Sequence, residues 1–242
     1  MENCAVPSRR KCCDTPNQQI MKNTPPNGIP NEHVLALLPE KCNRVVEIGP
    51  SIGALAKAYR TNNPDTEYIG IELDEEFARI AQASCNKVIQ GSIETLSDAD
   101  LDSAAPADCW VFSDVLEHLY DPWKTLRRIR DRCRPTDCVV ACIPNIQHWT
   151  VQVKILTGQF WYEDAGLLDR THIRFFTRQT LSQMFVDCGF EITEGGARHA
   201  QIQGQEKAVA AIRQFAMALG IDSALAEEDS MAYQYVVKAM PR

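Results

Sequence analysis

The sequence predicts an α/β fold: a mostly parallel sheet with helices on both faces and an antiparallel strand at one edge. Short apolar runs alternate with longer amphipathic stretches from residue 31 to residue 143, the pattern of repeated strand–helix units. The runs are nearly continuous in Val, Ile and Leu, as strands covered on both faces require. Two late strand-like segments, separated by helical sequence, are expected to form a hairpin at one sheet edge.

The elements follow in order. Asn31–Leu38 reads as a short capped helix, Arg44–Ile48 as a strand, and Gly53–Tyr59 as the start of a helix after a glycine turn. Tyr68–Glu72 is the second strand, Glu75–Ser84 a helix, Lys87–Gln90 the third strand and Cys109–Phe112 the fourth. Asp121–Cys133 is a helix with Pro122 at its first position, where proline fits. Cys138–Ile143 is the fifth strand. Thr180–Cys188 is a helix stopped by Gly189, then Phe190–Thr193 is a strand. A helix over about Gln205–Leu219 and a strand over Tyr233–Lys238 close the chain. On the long late helix, Ala208, Val209, Ile212, Phe215, Ala216 and Leu219 share one face, which reads as core. Residues 1–30 are broken by Pro7, Pro16, Pro25, Pro26 and Pro30 and read as an irregular arm.

Composition narrows the function. The 242 residues carry 25 Lys and Arg against 32 Asp and Glu, a formal charge of −7, and 45% are hydrophobic. This balance fits a globular protein with a sizeable core and argues against a general nucleic-acid binder. One basic cluster exists, on the helix carrying Lys124, Arg127, Arg128, Arg130, Arg132 and Arg134, and it reads as a solvated face. No apolar run reaches the roughly 20 residues of a membrane helix, and the N-terminus lacks a signal-peptide core. A cytoplasmic protein without membrane contact, monomeric or homodimeric, is expected. The ten cysteines include no C-x-x-C pair. Several sit in apolar runs, so they read as reduced core thiols.

The most informative segment is Glu47-Ile48-Gly49-Pro50-Ser51-Ile52-Gly53. Glycines between a strand and a helix let a ligand approach the backbone, beside a helix N-terminus. The spacing is E-x-G-x-x-x-G rather than the G-x-G-x-x-G of dinucleotide sites, which disfavours a nicotinamide oxidoreductase. Glu47 suits a cationic ligand group. Glu72 ends the second strand, 19 residues after Gly53, where a carboxylate can accept from both ribose hydroxyls. Together these features predict an adenosine-type ligand.

These residues, with Gly91-Ser92-Ile93-Glu94 and Ser113-Asp114-Val115-Leu116-Glu117-His118-Leu119, resemble the class I S-adenosylmethionine-dependent methyltransferases. The last string is similar to the small-molecule subfamily that includes ubiquinone-type O-methyltransferases. The resemblance covers roughly residues 31–240. It implies a Rossmann-like seven-stranded sheet, S-adenosyl-L-methionine as cofactor and S-adenosyl-L-homocysteine as product. It implies that Glu47, Gly49, Ser51 and Gly53 border the methionine part, that Glu72 with Leu73 holds the ribose, and that Ser92 and Ile93 lie by the adenine. Ser113 and Asp114 would stand near the ammonium end or the substrate. Two departures are Ser51, at the family's middle glycine, and Ser92, at its usual acid.

Methyl transfer from a sulfonium mainly needs alignment, and an oxygen nucleophile also needs its proton removed. Candidates for that role are His172, His118 and His148. Asn145 and Trp149 follow the fifth strand and are expected at the substrate, with Tyr162, Arg170 and Arg174. These last lie in an insertion at 146–179 that is rich in aromatics and reads as a lid or satellite core. Its Asp169-Arg170-Thr171-His172-Ile173-Arg174-Phe175-Phe176-Thr177 string is similar to bacterial methyltransferases of this kind. No H-E-x-x-H or comparable spacing appears, so no metal is expected.

The expected activity is methyl transfer to a hydroxyl or carboxylate of a small molecule. The alternatives are an N-methyltransferase, a peptide or sugar acceptor, and a cofactor-binding scaffold without catalysis. The domain boundaries expected are an arm over 1–30 and a methyltransferase domain over 31–242.

Overall fold

The computed structural model describes residues 28–242. Cys4, Cys12 and Cys13 and most of the expected arm lie outside the described residues. The elements run α1 (Glu32–Leu37), β1 (Arg44–Ile48), α2 (Ala54–Asn62), β2 (Glu67–Glu72), α3 (Glu75–Ala81), β3 (Lys87–Gln90), α4 (Asp98–Ala104), β4 (Cys109–Ser113) and a 3₁₀ turn (Leu116–His118). They continue with α5 (Pro122–Arg130), β5 (Cys138–Pro144), α6 (Trp149–Leu156), α7 (Arg178–Asp187), β6 (Phe190–His199), α8 (Gln205–Ala218), α9 (Ser223–Met231) and β7 (Ala232–Pro241).

All seven strands join one sheet in the order β3-β2-β1-β4-β5-β7-β6. The first five are parallel, and β7 runs antiparallel between β5 and β6. The chain moves outward from β1 to β3, then returns to place β4 on the other side of β1. That reversal opens a crevice at the carboxyl ends of β1 and β4, where ligands bind in open α/β sheets. Alternate side chains feed two cores, as the period of two dictates. Val46, Ile48, Ile71 and Phe112 enter one core, while Val45, Tyr68, Val111 and Val140 enter the other.

Several expectations change. β6 runs to His199 rather than ending at Thr193, because Gly195 allows close approach to β7: a Cβ there would meet the Val236 carbonyl at 3.1 Å. Bulges at Ile192/Glu194 and Arg198/His199 absorb the register. β6 and β7 pair antiparallel, but α8 and α9 separate them in the chain, so they are not a simple hairpin. The α8 face divides: Val209 and Ala216 are buried, whereas Phe215 and Leu219 are exposed, with α9 and α6 the main neighbours of α8 among the described residues. The basic cluster divides: Lys124 and Arg127 face solvent as expected, whereas Arg128, Arg130 and Arg132 are half-buried and bonded to neighbouring segments. Arg128 and Arg132 bond Asp98, Arg132 also bonds Asp102, and Arg130 holds the Gly189 carbonyl.

Seven cysteines among the described residues are free thiols, six of them buried. No helix among the described residues is long and apolar enough to cross a membrane.

The glycine turn rests on β2 through Pro50. A Cβ at Gly70 would lie 2.7 Å from Pro50 Cγ. Gly70→Ala should therefore destabilise the fold by about 1–3 kcal/mol. Urea unfolding would show a lower midpoint with an unchanged m value.

Candidate active site

The crevice is a cavity of about 570 Å³ lined by the glycine turn, residues 28–33, Glu47, Ser113, Asp114 and Arg198. That volume suits a small organic ligand.

β1 ends in Ile48 and the chain turns at Gly49, with φ +68°. A Cβ there would meet Val115 Cγ2 at 2.9 Å, so the residue must be glycine. Ser51 takes φ +51° without being glycine. Its backbone N–H donates to Glu72 Oε2 at 2.8 Å, and the Asp74 N–H donates to Glu72 Oε1 at 2.9 Å. The Glu72 carboxylate thus fastens the first turn to the end of β2. Burial pushes the Glu72 carboxyl up, and those N–H donors offset part of the shift. Gly53, at φ +79°, caps α2.

Glu47 is 3% exposed and accepts from the Tyr68 hydroxyl at 2.9 Å. Burial raises its carboxyl to about 8. Asp114, in the left-handed region at φ +57°, follows β4 directly. The Gln234 amide donates to its carboxylate, and the Arg198 guanidinium donates to Gln234 Oε1 at 2.6 Å. Burial pushes the Asp114 carboxyl up, and the Arg198 charge opposes this. The antiparallel edge therefore supplies the charge partner of a β4 acid. Asn31 donates to Ser113 Oγ at 3.5 Å.

The cavity brings together Glu47, Gly49, Ser51, Ser113 and Asp114 from the expected set. Glu72 stands behind the turn, bonded to it. Leu73 is exposed, Ile93 is core, and the Ser92 hydroxyl accepts from the Glu94 N–H at 3.3 Å; these three do not line the cavity.

His118 and His172, two of the candidate bases, meet edge to face with ring centroids 4.8 Å apart. Burial lowers both imidazoles and so favours their neutral forms. Glu117 lies against them, 1% exposed, with His172 Nε2 3.9 Å from its Oε1.

His148 is not with them. It is fully buried, caps α6, packs against Trp149 and Tyr233, and is held down to about 4 by burial. Asn145 is also fully buried. Its amide donates to the Asp229 and Ala232 carbonyls and its oxygen accepts from the Gln147 N–H, so no polar atom is left for a substrate. Trp149 is core at 8% exposure. Arg170 pairs with Asp164 at the surface, and Arg174 holds the Tyr120 carbonyl. Tyr162 is exposed against Phe160. The 146–179 insertion has its own core of Val151, Leu167 and Leu168. Its tip carries the exposed aromatics Phe160, Trp161 and Tyr162.

A family model described as a methyltransferase domain matches residues 13–194. The chain belongs to that methyltransferase family. No curated protein matches the sequence.

Solved structures share the chain's fold. The magnesium protoporphyrin IX methyltransferase of Synechocystis PCC 6803, solved with S-adenosylhomocysteine, is 12% identical with a TM-score of 0.57 over 87% of this chain and 81% of that one. A possible histamine N-methyltransferase of Thermotoga maritima is 17% identical, with a TM-score of 0.57 over 87% of each chain. Mitomycin 7-O-methyltransferase is 15% identical with a TM-score of 0.55 over 87% of this chain. The chain spans about half of that protein, 52% of its length. The fold is thus that of the class I S-adenosylmethionine-dependent methyltransferases, seven-stranded and Rossmann-like.

The raised Glu47 carboxyl has a measurable consequence. The folded state keeps a proton that the unfolded state releases near 4.5, so stability falls as pH rises from about 4.5 to about 8. Glu47→Gln removes that term. Its stability should decline less than wild type between pH 5.5 and pH 8, measured by urea unfolding at both values.

Proposed function

We propose that the enzyme moves a methyl group from S-adenosyl-L-methionine to an oxygen of a small-molecule acceptor, a hydroxyl or carboxylate. The observation that supports this reading is the charge pattern of the cavity. Asp114 offers a carboxylate and Glu47 a carboxyl group beside the glycine turn, and the Arg198 guanidinium lines the same cavity. This pattern complements an amino-acid group carrying an ammonium and a carboxylate. Gly49 and Ser51 let the ligand lie on the backbone, and Glu72, bonded to the Ser51 N–H from behind, would hold the turn in shape for the ribose. The cofactor supplies a methyl group already activated on a sulfonium.

The chain's own residues do the rest. Asp114 and Arg198 orient the amino-acid end, so the reacting groups need only be aligned. His118 and His172, kept neutral by burial, form the proton acceptor for an oxygen nucleophile. The exposed aromatics Phe160, Trp161 and Tyr162 of the insertion would supply an apolar cover that shields the acceptor from water. The methyltransferase domain is taken as residues 31–242, with the preceding arm outside it.

Turnover of a hydroxyl- and amine-bearing acceptor panel with labelled methyl donor tests the reading. Hydroxyl or carboxylate acceptors should be methylated, and His172→Gln should lower kcat by roughly 10²–10⁴ with little change in KM. Methylation of amines alone, indifferent to His172→Gln, would establish an N-methyltransferase instead. Cofactor binding without turnover across the panel would favour a scaffold.

A further inference from the structure

Two neighbours in sequence and a third side chain that no sequence spacing links to them converge after β4. Glu117 and His118 sit on the 3₁₀ turn after β4. His172 comes 54 residues later, from the 146–179 insertion. One ligand atom from each lies within 4.8 Å of the other two.

The Glu117 carboxylate is the decisive member. It is 1% exposed, and neither oxygen has a hydrogen-bond partner. A buried carboxylate without partners is strongly unfavourable. A Glu–His hydrogen bond would close to about 2.7–2.9 Å, but His172 Nε2 stands 3.9 Å from Oε1. The gap is too long for a shared proton.

The two imidazoles are already set for another partner. His118 Nδ1 lies 3.1 Å from the Thr171 carbonyl, and His172 Nδ1 lies 3.3 Å from the Leu167 carbonyl. A carbonyl only accepts, so Nδ1 carries the proton on both rings. In the neutral form each Nε2 then holds a lone pair. Tying the far nitrogen to a backbone carbonyl is the arrangement that fixes metal-ligating histidines. Metal bonds of about 2.0–2.2 Å place neighbouring ligand atoms roughly 3–3.5 Å apart, so small side-chain rotations close the cluster around an ion.

We infer that Glu117, His118 and His172 bind one divalent transition-metal ion. Two imidazoles and one carboxylate suit Zn, Fe(II), Mn, Co or Ni, not the all-oxygen shells of Mg or Ca. This sets aside, at this one place, the expectation of no metal. Three protein ligands leave positions open for water or an acceptor oxygen. Under the methyl-transfer reading, the ion then replaces the bare imidazoles as the group that makes a bound hydroxyl acidic. That role rests on the proposed function; binding of the ion does not.

The test is titration of the metal-stripped full-length protein with Co(II), followed by visible absorption and calorimetry. We expect one Co(II) per chain, displaced by Zn(II) and not by Mg(II), with affinity at least tenfold weaker in both Glu117→Gln and His172→Asn. S-adenosylmethionine binding, measured in the same variants, should persist and shows that the fold survives. If Glu117→Gln fails to fold, His118→Asn at the half-buried position asks the same question. No Co(II) binding by the wild type overturns the inference. So does binding unchanged in these variants, or a thiolate charge-transfer band that puts the ion on cysteines. Co(II) binding without S-adenosylmethionine binding would leave the metal site standing and overturn the proposed function.

Discussion

Four carboxyl groups crowd the carboxyl edge of the parallel sheet, and the site is organised around burying them. Glu47, Glu72 and Glu117 are each less than 5% exposed, and Asp114 joins them at the end of β4. Burial disfavours every one of these charges. Three of them are answered from within the fold: Glu47 by the Tyr68 hydroxyl, Glu72 by two backbone N–H groups, and Asp114 by Gln234 and Arg198. The glycine turn, the β2 end and the antiparallel edge are held together by these answers. Glu117 is left without one, which is why the histidines beside it point to a bound ion.

This arrangement explains why the antiparallel edge belongs to the site. β7 inserts between β5 and β6, which brings Gln234 next to Asp114 and lets Arg198 reach over from β6. A parallel sheet alone would leave the β4 acid facing the cavity with no positive partner. The bulges and glycines of β6 serve the same end, because they let that strand follow β7 to the rim of the crevice.

The fold was legible because β1 to β5 are continuous apolar runs and the turn between β1 and α2 carries glycines at a recognisable spacing. α4, α6 and α9 were not legible. α4 buries only Leu101 and Ala104, and α6 is capped by a histidine rather than by a customary capping residue. The first half of the site was readable from Glu47, Gly49, Ser51 and Asp114, which are near in sequence. Arg198 and Gln234 carried no local signal, since only strand pairing brings them to Asp114. The position of Asn145 and His148 after a strand at the correct edge suggests a substrate contact and a base. The segment is instead covered by α9 and β7: the Asn145 amide bonds backbone carbonyls, and His148 Nδ1 pairs with Thr150 as the cap of α6. Glu117 stood in plain view beside His118, but its burial and His172's approach depend on how the insertion folds back.

The central claim is that the Glu72-fastened turn holds an adenosine-bearing cofactor, and calorimetry with S-adenosylhomocysteine tests it most directly, on the wild type and on Glu72→Ala. The account predicts saturable binding by the wild type, weakened by roughly 10- to 100-fold in the variant, as loss of charged hydrogen bonds implies. Absence of binding by the folded wild type, or equal binding by both proteins, would contradict it.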